Sequence, residues 1–106
     1  MKSNMTYHAF NERFERISFI LDTIGMGEPV VSIRDPYHED TIKVLTNTGI
    51  IIVNGETSKK IVTVFIATMD QAMAVYKIAT NNKRMPERLY NKIKENQKLI
   101  NKQPKS

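Results

Sequence analysis

The sequence predicts an α+β fold in which an N-terminal helix packs on a three- to four-stranded antiparallel sheet and two helices follow. β-Branched residues dominate positions 41–68, in three runs separated by a Thr-Gly turn and a polar loop, which is typical of hairpins. A helical apolar repeat precedes these runs, and two more helical patterns follow them. The 106 residues are predicted to form a single domain. The first helix and the sheet occupy residues 6–68, and a basic helical segment occupies residues 69–102.

The first helix is predicted over residues 6–24, because Asn4 or Thr6 can cap its start and Gly25 can end it. Its apolar residues alternate in steps of three and four and are therefore expected to form one stripe facing the sheet. These stripe residues are Tyr7, Phe10, Phe14, Ile17, Leu21 and Ile24. Phe19 falls on the opposite, charged side beside His8, where it is expected to meet a later helix or a second copy of the chain, or to stay exposed.

Strands are predicted over residues 30–34, 41–46, 50–53 and 60–67, with a turn starting at Asp35 after the first of them. Alternation along the last strand places Val62, Val64 and Ile66 on one face, which we assign to the first helix. The other face is mixed and only partly apolar, and it carries Lys43, Leu45, Thr63 and Phe65. Part of this mixed face is expected to be covered, and it is the part of the sheet where a functional site is expected.

Two helices are predicted after the sheet, over residues 69–80 and from Pro86 to about residue 102. Thr68 and Gln71 form a capping-box pattern at the start of the first of them. Residues 77–106 carry nine basic and two acidic side chains, whereas residues 1–76 carry seven basic and nine acidic ones. This asymmetry favours an anionic partner, either a nucleic acid or an acidic protein face. The basic residues predicted to bind it are Arg34, Arg88, Lys92, Lys94, Lys98 and Lys102.

Several classes of chemistry have no support in the sequence. The chain has no Cys and hence no disulfide or thiol nucleophile, and it lacks the nucleophile-elbow, phosphate-loop and dinucleotide-binding patterns. His38, Glu39 and Asp40 are neighbours in one loop, which is not a metal-ligand spacing, so no metal and no cofactor are predicted. No apolar run reaches membrane-spanning length and no signal peptide is recognisable. A cytoplasmic location with no membrane partner is therefore expected.

Residues 7–68 combine a predicted His-bearing N-terminal helix with a predicted antiparallel sheet that carries the phrases Val-Leu-Thr-Asn-Thr-Gly at residues 44–49 and Ile-Val-Thr-Val-Phe at residues 61–65. In these features the chain resembles the barnase–EndoU–colicin–RelE-like ribonuclease superfamily. Many toxins and phage-encoded proteins of this type are small and metal-independent. The resemblance implies RNA cleavage through a 2′,3′-cyclic phosphate.

The resemblance also implies roles for particular residues. His8 would be one acid/base group, and His38 or Glu39 would be the other. Lys43 or Arg34 would hold the phosphate, and Thr63 would donate its hydroxyl from the same sheet face as Lys43.

The sequence leaves three classes of function open. The first is a small interaction protein, for example a phage-encoded one, that binds and modulates a host macromolecule or complex. The second is the metal-independent endoribonuclease that the resemblance implies, and the third is a nucleic-acid-binding module that uses the basic C-terminal helix. The first class is favoured because it is the widest. A homodimer formed through Phe19 or the outer sheet face is a further expectation.

Overall fold

The computed structural model describes the backbone of residues 7–82 and 84–103 and the side chains of residues 14–82 and 84–103. Within these residues it confirms an α+β fold with one four-stranded antiparallel sheet and three helices. The elements in chain order are α1 (Tyr7–Thr23), β1 (Pro29–Arg34), β2 (Thr41–Thr46), β3 (Ile50–Gly55), β4 (Ile61–Ile66), α2 (Met69–Thr80) and α3 (Glu87–Ile100). The predicted boundaries lie within two residues of these, because local caps and turn residues set the ends.

The strands lie side by side in chain order, β1-β2-β3-β4, and each pairs with the next in antiparallel orientation. Such neighbours need only short connections. Gly49 forms the β2–β3 turn with a φ of 85°, a left-handed conformation that glycine adopts without steric cost. The register places Lys43 opposite both Ile33 and Val53, and it places Val53 opposite Thr63. Lys43 and Thr63 therefore share one face of the sheet, as predicted.

Helices cover both faces of the sheet, and each face has its own apolar core. α1 packs over β4, and the core beneath it consists of Ile20, Ile50, Val64 and Ile66. This confirms that Val64 and Ile66 face the first helix, although Val62 stays exposed near the start of the strand. α2 and α3 cover the opposite face, where the buried residues include Leu45, Ile51, Val75, Leu89 and Ile93. Part of the mixed face is thus covered, as expected.

The predicted apolar stripe of α1 is wrong at two positions. Phe14 and Leu21 are 62% and 56% exposed, whereas Ile20 between them is completely buried. Phe19 packs partly against the same core, to which the end of α3 also contributes Leu99 and Ile100. A direct contact between Phe19 and a later helix stays a prediction. Apolar residues from the far end of the chain, Leu99 and Ile100, therefore share the core in which Ile20 is buried. The predicted stripe also includes Tyr7 and Phe10, whose side chains lie outside the described residues.

The β2–β3 turn joins three parts of the molecule. The hydroxyl oxygen of Thr48 lies 2.8 Å from the carbonyl oxygen of Gly25 and 2.9 Å from that of Met26. The hydroxyl group therefore donates a hydrogen bond to the α1–β1 loop. The buried side-chain amide of Asn96 in α3 donates to the carbonyl oxygen of Thr48 at 2.7 Å. Because buried polar groups are costly when unpaired, these bonds fix α3 and the loop relative to the sheet.

The predicted capping box at the start of α2 is confirmed. The Thr68 hydroxyl accepts the backbone N–H of Gln71 at 3.1 Å, and the Gln71 side chain accepts the backbone N–H of Thr68 at 2.9 Å. Thr68→Ala is expected to lower the free energy of unfolding by about 1 kcal/mol, measured by urea denaturation. The matched control is Thr23→Ala, whose hydroxyl bonds only the carbonyl of Phe19 within α1 and adds little to stability. Equal losses in the two variants would show that the cap does not stabilise α2.

Candidate functional site

A small cavity opens on the mixed face of the sheet, beside α2, and we call it the Lys43 cleft. It has a volume of about 170 Å³. Its floor is formed by Lys43, Ile51 and Phe65, one wall by Gln71 and Ile78 of α2, and the other wall by Asp35 and Tyr37 of the β1–β2 loop. α2 crosses from the end of β4 to β1, so its flank and the loop enclose the part of the face that the core leaves open.

Asp35 is the centre of the cleft, and its side chain is only 4% exposed. One carboxylate oxygen, Oδ1, accepts the backbone N–H of Tyr37 at 2.8 Å, a turn that Asp before Pro favours. The other oxygen, Oδ2, lies 3.2 Å from Nδ1 of His38 and 3.5 Å from Nζ of Lys43. The buried charge is therefore paired with two cationic or hydrogen-bonding side chains, as buried carboxylates require.

These partners stabilise the charged form of Asp35. The Tyr37 N–H is the largest influence that holds the pKa of the carboxyl below its ordinary value of 3.8, and His38 and Lys43 lower it further, although burial opposes them. Because the pKa of Asp35 is lower in the folded than in the unfolded chain, its charge stabilises the folded protein at pH values above the unfolded-state pKa. This stabilisation is lost as pH falls through the folded-state pKa.

Asp35→Asn is accordingly expected to be less stable than the parent chain at pH 7, with a difference that shrinks as pH falls below about 4. The measurement is urea denaturation at a series of pH values. The readout is the difference between the two chains, because the pKa of Asp40 is also lowered, by the hydroxyl and N–H of Thr57, and contributes in both. A difference that is the same at pH 7 and at the acid end would contradict this role for the Asp35 charge.

Tyr37 lines the cleft, and the exposed side chain of His38 contacts Asp35. Because Nδ1 of His38 faces Asp35, the other ring nitrogen points away from the carboxylate and is the one available to a ligand. Tyr37 is 87% exposed, which is unusual for so large an aromatic side chain. Lys43 is half-buried on the floor. Together these groups offer a ligand a ring nitrogen and a flat aromatic surface beside the paired charges of Asp35 and Lys43.

The structure brings His38 and Lys43 together at Asp35, but it does not place the other predicted catalytic residues with them. His8 belongs to α1, which packs on the opposite face of the sheet, and its side chain lies outside the described residues. Thr63 lies in the same cross-strand row as Lys43, but its hydroxyl oxygen is 3.5 Å from the guanidinium of Arg16, which also donates to the carbonyl of Val64.

The residues that the resemblance offers as alternatives to Lys43 and His38, namely Arg34 and Glu39, also lie apart from the cleft. Arg34 pairs with Glu56 and stands on the opposite sheet face from Lys43, since it is opposite Ile42 in the register. Glu39 is exposed in the β1–β2 loop. Sequence reasoning recognised the turn at Asp35 but missed its burial, because the covering helix comes from a distant part of the chain.

A second concave surface lies between α2 and α3, and we call it the α2–α3 groove. It encloses about 590 Å³ and is lined by Met73, Arg84, Met85, Glu87 and Tyr90. Met73 and Tyr90 are each 41% exposed. The sequence shows both residues on helices, but the groove depends on how the helices pack, so no local signal could have identified it.

The predicted basic residues of the C-terminal segment are exposed along α3 and, for Lys102, just after its end. Lys92 is the exception, since it is half-buried and lies 3.4 Å from Glu95. In the part of the chain that the structure describes, the remaining ones form no ion pair, and these are Arg88, Lys94, Lys98 and Lys102. Their charge is therefore available to an anionic partner.

Among the described side chains, no group of three His, Asp or Glu residues is arranged to hold a metal ion. The helices in residues 7–82 and 84–103 are too short or too polar to cross a membrane. Comparison of the chain with protein-family models, curated proteins and solved structures finds no match. The resemblance to the ribonuclease superfamily, the phage-encoded origin and the cytoplasmic location therefore stay predictions.

Proposed function

We propose that the protein is a small interaction protein that binds a partner protein through the α2–α3 groove. The observation that carries the proposal is the groove itself, which encloses about 590 Å³ and has the partly exposed side chains of Met73 and Tyr90 on its surface. Concave surfaces that expose large apolar side chains commonly bind other molecules. Methionine suits such a site, because its flexible side chain adapts to the shape of a partner.

The groove favours a protein over a nucleic acid as the partner. Burial of Met73 and Met85 against apolar side chains of a partner protein stabilises the complex. A phosphate backbone has no apolar side chains to cover them. Tyr90 is the single aromatic side chain among those that line the groove, whereas single-stranded nucleic acids are usually held by several stacking side chains.

The test is affinity purification with the full chain as bait, using the double variant Met73→Glu/Tyr90→Glu and the control Leu21→Glu. Leu21 is exposed on α1, on the opposite side of the sheet from the groove, so the control also adds an acidic side chain to an apolar surface position. We expect a defined partner to be retained by the parent chain and the control and lost by the groove variant. The proposal fails if the groove variant retains the same partners, with all three chains shown to be folded by thermal unfolding.

A second candidate function, metal-independent RNA cleavage, is favoured by the Lys43 cleft. Asp35 orients His38, whose free ring nitrogen could take the proton of a 2′-hydroxyl as that oxygen attacks the phosphorus. The attack forms the 2′,3′-cyclic phosphate and expels the 5′-oxygen, which takes its proton from solvent water. Lys43 could stabilise the negative charge that develops on the phosphate.

His38→Ala is expected to reduce RNA cleavage at least about 100-fold if this second function is correct, because a positioned acid/base group contributes that much or more. The assay is cleavage of a fluorescently labelled RNA in the presence of a metal chelator. Glu28→Gln, a change of an exposed residue in the α1–β1 loop, serves as the control and should keep the parental rate. Absence of cleavage by the parent chain, or equal rates in His38→Ala and the parent, removes this candidate.

A further inference from the structure

Unpaired positive charge lies beside the α2–α3 groove. Arg84 lines the groove itself, Lys77 lies one turn beyond Met73 on α2, and Lys94 lies one turn beyond Tyr90 on α3. These three basic side chains form no ion pair within the described chain. Acidic residues are fewer here, namely Glu87 in the lining and Asp70 at the start of α2.

The two helices that form the groove run in opposite directions. The side-chain amide of Gln97, near the end of α3, donates to the carbonyl of Ala67 just before α2, whereas Met85 lies between the end of α2 and the start of α3. A pair of antiparallel helices leaves an apolar seam between them, and a third helix can pack its own apolar residues into such a seam. α2 has 12 residues and is therefore about 18 Å long, and the groove lined by Met73, Met85 and Tyr90 extends from Met73 toward its C-terminal end.

We infer that the groove binds an acidic amphipathic helix of the partner protein. This inference rests on the proposed function and names the class of partner. The apolar stripe of the bound helix lies on Met73, Met85 and Tyr90, as in other helix-in-groove complexes. Its Asp and Glu side chains flank that stripe and face the unpaired cations, so charge complementarity selects an acidic helix over a basic one.

The experiment is fluorescence anisotropy with labelled peptides of about five helical turns. One peptide has Leu at helical spacing with Glu at the remaining positions, a second replaces each Glu by Lys, and a third has the first peptide's composition in a non-amphipathic order. We expect the first peptide to bind at least about tenfold more tightly than the other two. Met73→Glu and Lys94→Glu should each weaken it about tenfold. Leu21→Glu and Lys60→Glu, which change exposed residues away from the groove, should not.

The inference is overturned if the Glu and Lys peptides bind equally, if amphipathic order has no effect, or if no peptide binds. It also fails if a labelled RNA binds more tightly than the Glu peptide and loses affinity steeply with salt, because α3 would then be a phosphate-binding helix. These failures are separable from failure of the proposed function. A partner that depends on the groove in the affinity purification but contains no acidic amphipathic helix would overturn the inference alone.

Discussion

Gly49→Ala is expected to lower the free energy of unfolding by about 3 kcal/mol. Two costs add at this position. The φ of 85° is unfavourable for any residue with a Cβ atom, and a Cβ built at Gly49 would lie 2.7 Å from Nδ2 of Asn96 and 3.1 Å from Cγ1 of Ile93. Ile93 is completely buried, so it has little room to move. Urea denaturation of the variant and the parent chain measures the loss.

Gly25→Ala is the control that separates the two costs. Gly25 has a similar φ of 88°, but a Cβ atom there would meet nothing within 4 Å. Its substitution should therefore cost only the backbone strain, about 1 kcal/mol. If the two alanine variants lost the same stability, close packing between the β2–β3 turn and α3 would not be a significant part of the effect.

This turn matters for function because it positions α3. The bond from Asn96 to Thr48 and the packing of Ile93 against Gly49 attach α3 to the sheet, and α3 supplies one side of the α2–α3 groove. A shift of α3 in Gly49→Ala should therefore weaken peptide binding in the groove as well as stability. The Lys43 cleft, which is formed by α2, the sheet and the β1–β2 loop, does not include α3.

The elements of the fold could be predicted because their signals are local. The capping box needs only Thr68 and Gln71, and the left-handed turn at Gly49 needs only one flexible residue. Alternation along β4 correctly assigned Val64 and Ile66 to the α1 side, since neighbouring residues of a strand point to opposite faces. Each of these signals lies within a few residues and does not depend on the rest of the chain.

The rotation of α1 could not be predicted in the same way. Its apolar residues cover more than one stripe, and the choice between stripes depends on which distant elements contact the helix. The end of α3 supplies Leu99 and Ile100 to the core around Ile20, and this contact involves the opposite end of the chain. Helical periodicity alone therefore assigned Leu21 to the core, although it is exposed.

The candidate sites were partly predictable for a related reason. The alternation of β2 and β4 correctly indicated a mixed face with Lys43 and Thr63, and the structure places the cleft on that face. The pairing of His38 with buried Asp35 depends on the path of the β1–β2 loop, which has no periodic signal. The groove depends on the angle between two helices, which the sequence of each helix does not specify.

Both candidate surfaces use α2, but on different flanks. Gln71 and Ile78 face the Lys43 cleft, whereas Met73 faces the α2–α3 groove. Side chains on different flanks of a helix can be changed independently when they are exposed. His38 lies in the β1–β2 loop and Met73 lies on the groove flank of α2, so His38→Ala and Met73→Glu test the two functions separately. A single substitution that abolished both activities would indicate unfolding rather than a shared site.

Ile20→Ala is expected to lower the free energy of unfolding by about 3 kcal/mol, because it removes buried methyl and methylene groups and leaves a cavity beneath α1. Ile20 is completely buried against Ile50, Val64 and Ile66, so the sheet beneath it offers little freedom to collapse into the space. The measurement is urea denaturation, with a matched change at the next residue. Leu21→Ala should alter stability by less than about 0.5 kcal/mol, because Leu21 is exposed and alanine is a good helix former. The opposite order of the two losses would mean that α1 is rotated to bury the stripe that its sequence predicts, and Phe19 would then be freed from the core to contact a second copy of the chain.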